Sequence, residues 1–161
     1  MTDSERISDQ LRRAVSGGAW HGPSVHELLS GVDARAAAAR PLPAAHSIWE
    51  ILLHMTVWLE VVRRRVTEGR AIEPPPEEDW PAPGEPTDGA WQAVVERHER
   101  AYRDLAGFLS RLDDEDLKER VAGKDYDAAI MLYGIVQHEL YHAGQIALLK
   151  KAAVGSAGGP T

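Results

Sequence analysis

Between Ile72 and Pro86 the chain carries six of its ten prolines, Pro74, Pro75, Pro76, Pro81, Pro83 and Pro86, interleaved with Glu77-Glu78-Asp79. Proline lacks the N–H that helices and sheet ladders need, and its ring fixes φ. The stretch is therefore expected to form no helix and to run as an extended crossover. It cuts the 161 residues into two arms, and neither arm offers a sheet: runs of alternating β-branched residues are absent and there is a single Phe. Both arms instead carry apolar residues at helical spacing. Two helical arms joined by one long connection must cover each other's apolar faces. The expected fold class is all-α, a four-helix bundle with one long crossover loop between the second and third long helices.

The punctuation supports this. A first helix is expected over Ser4–Ser16, with Ile7, Leu11, Ala14 and Val15 on one stripe, stopped by Gly17-Gly18. A turn-length helix follows Gly22-Pro23-Ser24 over Val25–Leu29, then an Ala-rich piece over Asp33–Arg40 that Pro41 and Pro43 end. The second long helix is placed over Ala44–Glu68, before Gly69, and the third from a Thr87 or Asp88 cap to Leu109. An acidic connector, Asp113 to Asp127, holds a short helix around Asp116–Arg120, and Asp127 caps a fourth helix over Ala128–Ala153. One domain over 1–154 and a flexible tail over 155–161 are expected.

Composition narrows the chemistry. A net charge of −7 gives no electrostatic footprint for nucleic acid, and the triplet Arg63-Arg64-Arg65 is bracketed by Glu60 and Glu68. The absence of cysteine removes disulfides, a cysteine nucleophile and thiolate ligands together, so a transition metal would have to be held by His, Asp or Glu. The polar start, Met1 to Arg6, carries no apolar leader, and the longest apolar stretch, Ala128 to Val136, is too short to span a bilayer. The expected compartment is the cytoplasm, with no membrane partner.

Seven histidines lie along the chain, so one pair four residues apart carries little by itself. The placement of His138 and His142 carries more. At about 100° per residue they share a stripe with Met131, Ile135, Gln145, Ile146 and Leu149, so both rings point inward, one turn apart. They are either metal ligands or core histidines bonded to the backbone or to Tyr133 and Tyr141. His54 offers a third ligand from the second helix, on the face that carries Ile51, Val57, Trp58 and Val61. One histidine from one helix and a pair from another can grip an ion and leave a coordination position open, as catalytic sites do. Glu50, one turn before His54, is a carboxylate that orients an imidazole, a fourth ligand or a partly exposed helix residue. His98, on the inward stripe of the third helix with Trp91, Val94, Val95, Tyr102 and Leu105, is either a core residue or a rival ligand. His21, His26 and His46 fall in turns or at helix starts. The five tryptophans, 20, 49, 58, 80 and 91, line a core, a pocket or a dimer interface.

Three segments carry a family resemblance: Ala19-Trp20-His21-Gly22-Pro23-Ser24, His46-Ser47-Ile48-Trp49-Glu50-Ile51-Leu52-Leu53-His54-Met55, and His138-Glu139-Leu140-Tyr141-His142-Ala143-Gly144-Gln145-Ile146. With them the chain resembles the DinB-like (YfiT-type) family over nearly its whole length. The resemblance implies a four-helix bundle with one divalent metal, usually zinc or nickel, held by three histidines that map onto His54, His138 and His142, and often a homodimer. Characterised relatives include thiol-dependent enzymes, such as the mycothiol-dependent maleylpyruvate isomerase and bacillithiol S-transferases; others are described as metal-dependent hydrolases. The resemblance thus implies a low-molecular-weight thiol as a second cofactor.

The leading expectation is a metalloenzyme acting on a small-molecule substrate, in which the ion makes a water or thiol nucleophilic at neutral pH. Gln145 would position substrate or a ligand's second nitrogen, or else only bond across helices, and Tyr141 and Glu50 would handle protons. The alternatives are a non-catalytic metal-binding stress-response protein and a dimerising helical module whose histidines are core residues.

Overall fold

A computed structural model describes residues 1–157. Four long helices, α1 (Asp3–Ser16), α4 (Ile48–Glu68), α6 (Asp88–Leu109) and α7 (Ala128–Ala157), form the bundle, with short helices α2 (Val25–Leu29), α3 (Ala34–Ala38) and α5 (Pro76–Asp79) between them. A single 3-10 turn, Asp116–Lys118, lies in the acidic connector. Among the described residues the only β pairing is an isolated bridge, Arg120 to Asp127. No described helix is long and apolar enough to cross a membrane.

Side-chain caps decide where the helices begin. Thr2 with Glu5, Ser24 with Glu27 and Ser47 with Glu50 each form a reciprocal capping box at the start of α1, α2 and α4. Each box satisfies two otherwise unpaired backbone N–H groups. Asp33, Thr87 and Asp127 accept from the first turns of α3, α6 and α7. The second long helix therefore starts at Ile48 rather than at Ala44, because Ser47 supplies the first competent cap. The crossover corrects the expectation that the stretch between Ile72 and Pro86 is free of helix. Pro76 occupies the first position of α5, where its missing N–H has no partner to lose. The N–H groups of Glu78 and Asp79 donate to Pro75 O, each at 2.9 Å. At the other end, α7 continues into the stretch expected as tail, to Ala157, and residues 158–161 of that tail lie outside the described residues.

α4 is the central rod. It packs on α6 and α7, while α1 closes the bundle against the other sides of those two helices. It is buried on nearly every side, Trp49, Leu52, Met55 and Leu59 fully so, where a single inward stripe had been expected. α3 and α5 cover the faces that the bundle leaves over.

Two apolar clusters fill the interior. One joins Ile7 and Leu11 of α1 to Leu59, Leu105, Leu109, Leu132 and Ile135. The other joins Val25, Leu29 and Ala37 of the short helices to Trp49, Leu52, Met55, Trp91 and Ile146. Between them, along α4, α6 and α7, fall the buried polar residues His54, Thr56, His98, Glu139 and His142. The bundle has a polar waist.

The crossover is anchored where it leaves α4. Arg65, buried and lying over the Trp58 ring at 5.4 Å, donates from Nε and Nη2 to Ile72 O at 2.9 and 2.7 Å and pairs with Glu73 at 3.0 Å. Lys124, from the connector, also pairs with Glu73. Two glycines make this corner possible. Gly69 ends α4 with φ +61°, and Gly123 has φ +74°, with space for a Cβ only 3.0 Å from the Cβ of Ala71. A side chain in the left-handed region costs about 1–2 kcal/mol. Gly69→Ala is expected to lower the unfolding free energy by about 1 kcal/mol. Gly123→Ala should cost more, because it adds the Ala71 contact; thermal or urea melts of the two variants check the ranking.

Candidate metal centre

α7 delivers two imidazoles because residues 138 and 142 are one turn apart. Both lie at the edge of its buried face, next to α4. The centre of that face is taken by Leu132, Val136, Glu139 and Ala143. α4 delivers His54. Each of the three offers a nitrogen within 4.8 Å of the other two, the one such cluster of His, Asp and Glu among the described residues. His54 Nε2 and His138 Nε2 are 3.0 Å apart, and the ring centroids of His142 lie 4.4 Å from His138 and 4.9 Å from His54. Two nitrogens bound tetrahedrally at 2.0–2.1 Å to one ion would stand about 3.3 Å apart. The His54–His138 pair stands near that spacing, and the set as a whole, within 4.8 Å, would draw in around one divalent ion.

Hydrogen bonds choose the tautomers. His54 Nδ1–H donates to the backbone oxygen of Asp79 at 2.8 Å and has the Asp79 carboxylate oxygen Oδ1 at 3.0 Å. That same Oδ1 accepts from Trp58 Nε1 at 2.7 Å. His142 Nδ1–H donates to Gln145 Oε1 at 2.7 Å. In both rings the Nε2 lone pair is left for the centre, the arrangement in which an outer carboxylate or carbonyl orients a metal-binding imidazole. Aromatic rings close the site. Trp80 is stacked between His54 and His46, at 3.9 and 3.8 Å between centroids and 6° and 11° between planes. Burial and the neighbouring imidazoles push the His138 pKa down to about 3, and burial lowers that of His142. Both rings are neutral at pH 7, as ligands must be.

The other expected site residues divide. Gln145 stands on His142, as stated. Tyr141 is 66 % exposed, its ring edge-on to His142 at 5.1 Å. Glu50 stands outside the cluster. Its carboxylate closes the α4 capping box, taking the Ser47 N–H at 2.8 Å, and pairs with Arg40, so the helix start claims it. His98 is also outside: its Nε2 lies 3.2 Å from Glu139 Oε2, with both side chains fully buried. His46, before the start of α4, is exposed and stacks on Trp80, and His26 is half-buried, edge-on to His98 at 6.3 Å.

Asp79 and Glu139 have no role in the sequence reading, and Trp80 has one only among the five tryptophans given to a core, a pocket or an interface. Asp79 and Trp80 arrive from the crossover, and no local spacing announces a contact across 25 residues. Glu139 had a signal: His138-Glu139-x-x-His142 has the spacing of a zinc-protease helix, in which the glutamate is the general base. Here Glu139 turns from the cluster to His98, so the protease role is not carried over.

A family model of the DinB superfamily matches residues 19–146, a span that holds all seven histidines, the crossover and Gln145. No curated protein and no solved structure matches the chain.

The depressed histidines set an acid limit for the metal-free chain. Above pH 6.5 neither the folded nor the unfolded state holds a proton on His138. Below it the unfolded chain takes one up and the folded chain does not, down to about pH 3. Stability should be flat from pH 8 to 7 and fall as the pH drops from 6.5 to 5, by at most about 1.4 kcal/mol per pH unit for His138, with His142 acting in the same direction. Urea midpoints in the presence of chelator measure this. A flat profile over that interval would show that these rings remain solvated.

Proposed function

The chain belongs to the DinB superfamily, and from that premise we propose that it is a metal-dependent enzyme in which His54, His138 and His142 hold one divalent ion, zinc or nickel. The reaction is group transfer through a low-molecular-weight thiol onto a small molecule. When bound, such an ion lowers the pKa of a thiol or water beside it, so that a nucleophile exists at neutral pH. Hydrolysis is the second chemistry the same arrangement permits.

The observation that carries this reading is the convergence of three imidazoles within 4.8 Å. The protein's own part in the chemistry is positional. Asp79 and Gln145 hold two rings in the tautomer that presents Nε2, while Trp58 and Trp80 keep water from their backs. Tyr141 stands at the mouth, placed to exchange a proton with an incoming group. Three protein ligands leave a coordination position for substrate, and neither Glu50 nor His98 lies in the cluster to fill it. That favours catalysis over an ion that only braces the bundle. The same reading places the protein in the cytoplasm as a homodimer, for which Ile130 and Tyr133, exposed along α7, offer apolar surface.

Elemental analysis of the purified protein should find one divalent ion per chain. His142→Ala should lose it, and Asp79→Ala should bind it roughly 10-fold more weakly, because the backbone oxygen still orients His54. Competition with a chromophoric chelator measures both. A panel of low-molecular-weight thiols with electrophilic substrates should show transfer that His142→Ala abolishes. Protein that contains no metal and takes none up on titration ends this reading.

A further inference from the structure

His98 and Glu139 take no part in the chemistry proposed above, yet both are fully buried, and they bridge a gap that the backbone leaves open. α6 and α7 occupy opposite corners of the bundle: each packs on α4 and on α1, and their backbones scarcely approach each other. The hydrogen bond from His98 Nε2–H to Glu139 Oε2, at 3.2 Å, crosses that diagonal through the interior. Around it the buried face of α7 is aliphatic, with Leu132, Ile135, Val136, Ala143 and Ile146. Aliphatic contacts have no preferred direction and let a helix settle at slightly different rotations about its axis. A hydrogen bond is limited in both distance and angle. Lys150 ties α7 to Leu28 O and Ser30 O, but only further toward its C-terminal end.

The energetics do not mark the pair as a stabilising device. Each group keeps one buried atom without a protein partner, His98 Nδ1 and Glu139 Oε1. A half-satisfied buried polar pair is commonly no more stable than well-packed apolar side chains of similar volume, and its best-attested use is to fix register. Register matters most at this level of α7, because Glu139 stands between the two clustered histidines in sequence. At about 100° per residue, His138 lies about 100° to one side of it and His142 about 60° to the same side. With Glu139 aimed at α6, both imidazoles are aimed at His54 on α4. An imidazole tip stands about 5–6 Å from the helix axis, so a turn of α7 by about 15° would carry it about 1.5 Å. Metal–ligand distances hold to about 0.2 Å.

From this we propose that His98 and Glu139 are positioning residues, whose bond sets the rotation of α7 and so keeps His138 and His142 converged with His54. The proposal rests on the metal reading above for the ion, but not for the placement of the three rings in the metal-free chain.

His98→Leu combined with Glu139→Leu removes the bond and leaves no polar group behind. Its urea midpoint should stay near that of the parent chain. Cobalt(II), a divalent ion whose visible spectrum reports coordination geometry, should bind this double variant about 10-fold more weakly or worse, with a changed spectrum. Glu139→Gln keeps an acceptor for His98 and should bind cobalt as the parent does. In the metal-free proteins, the imidazole nitrogen NMR signals of His54 and His138, whose Nε2 atoms are 3.0 Å apart, should shift in the double variant and hold in Glu139→Gln. A double variant with the affinity, spectrum and imidazole signals of the parent overturns the proposal. So does a Glu139→Gln protein that matches the double variant, since the charge and not the bond would then be at work. If the double variant does not fold, His98→Asn, too short to reach Glu139, is judged by the same criteria; failure of both to fold overturns the proposal in favour of a purely structural pair. A parent chain that takes up no cobalt ends the metal reading alone, and the metal-free signals then decide on the pair.

Discussion

Everything else in this bundle is arranged around a layer of polar side chains held at its waist, where α4, α6 and α7 meet. A buried imidazole is tolerable only if it is neutral and its nitrogens are partnered. The chain meets this demand with groups from three directions: Asp79 for His54, Gln145 for His142, Glu139 for His98. It meets it incompletely. His138 Nδ1, His98 Nδ1 and Glu139 Oε1 are buried without a protein partner. The two apolar clusters above and below the layer supply the stability that lets such groups persist.

The crossover is the second half of that arrangement. By composition it is coil, and by position it is the fourth wall of the site. Arg65 and Lys124 fix its start through Ile72 and Glu73, and Pro76 at a helix start aims the following turn back at α4. The turn ends on Asp79 and Trp80, one bonding His54 and the other stacking on it. A segment that makes few apolar contacts thereby controls the tautomer of one ring and the solvent exposure of its face. Trp80 also borders the space beside His142, so the same turn shapes both the surroundings of the histidine cluster and the space next to it.

The helices were legible because their signals are local. Capping residues, glycines and helical spacing act within a few positions, and the starts at Asp88 and Ala128 follow from Thr87 and Asp127. Where a local signal was over-read, the structure moved: the first acceptable position at Ala44 lost to the better cap at Ser47. The three clustered histidines were legible because helical periodicity puts each on an inward face. Glu50 shared that logic and yet belongs to the helix start, since one turn of spacing does not say which end of a side chain is already claimed. The contacts of Asp79 and Trp80 with His54 were not legible, because they depend on how a proline-rich chain returns across space. The sidedness of Glu139 depends on packing too. It sits one residue from His138, about 100° around the helix, and that rotation puts it in the core instead of at the cluster.

The hydrogen bonds of the cluster preset two of its three rings. With Nδ1–H bonded outward on His54 and on His142, Nε2 is the nitrogen each ring has left for the centre. His138 meets the His54 nitrogen through its own Nε2 at 3.0 Å, while its Nδ1 is buried without a protein partner. One Nε2–H proton shared by that pair satisfies it. A cation on the three Nε2 atoms would do the same and would turn His138 to the Nδ1–H tautomer, with that buried donor unpaired. Burial and the adjacent rings oppose a positive charge on His138 itself, so the two arrangements differ in what occupies the centre and in the tautomer of one ring, not in the charge that ring carries.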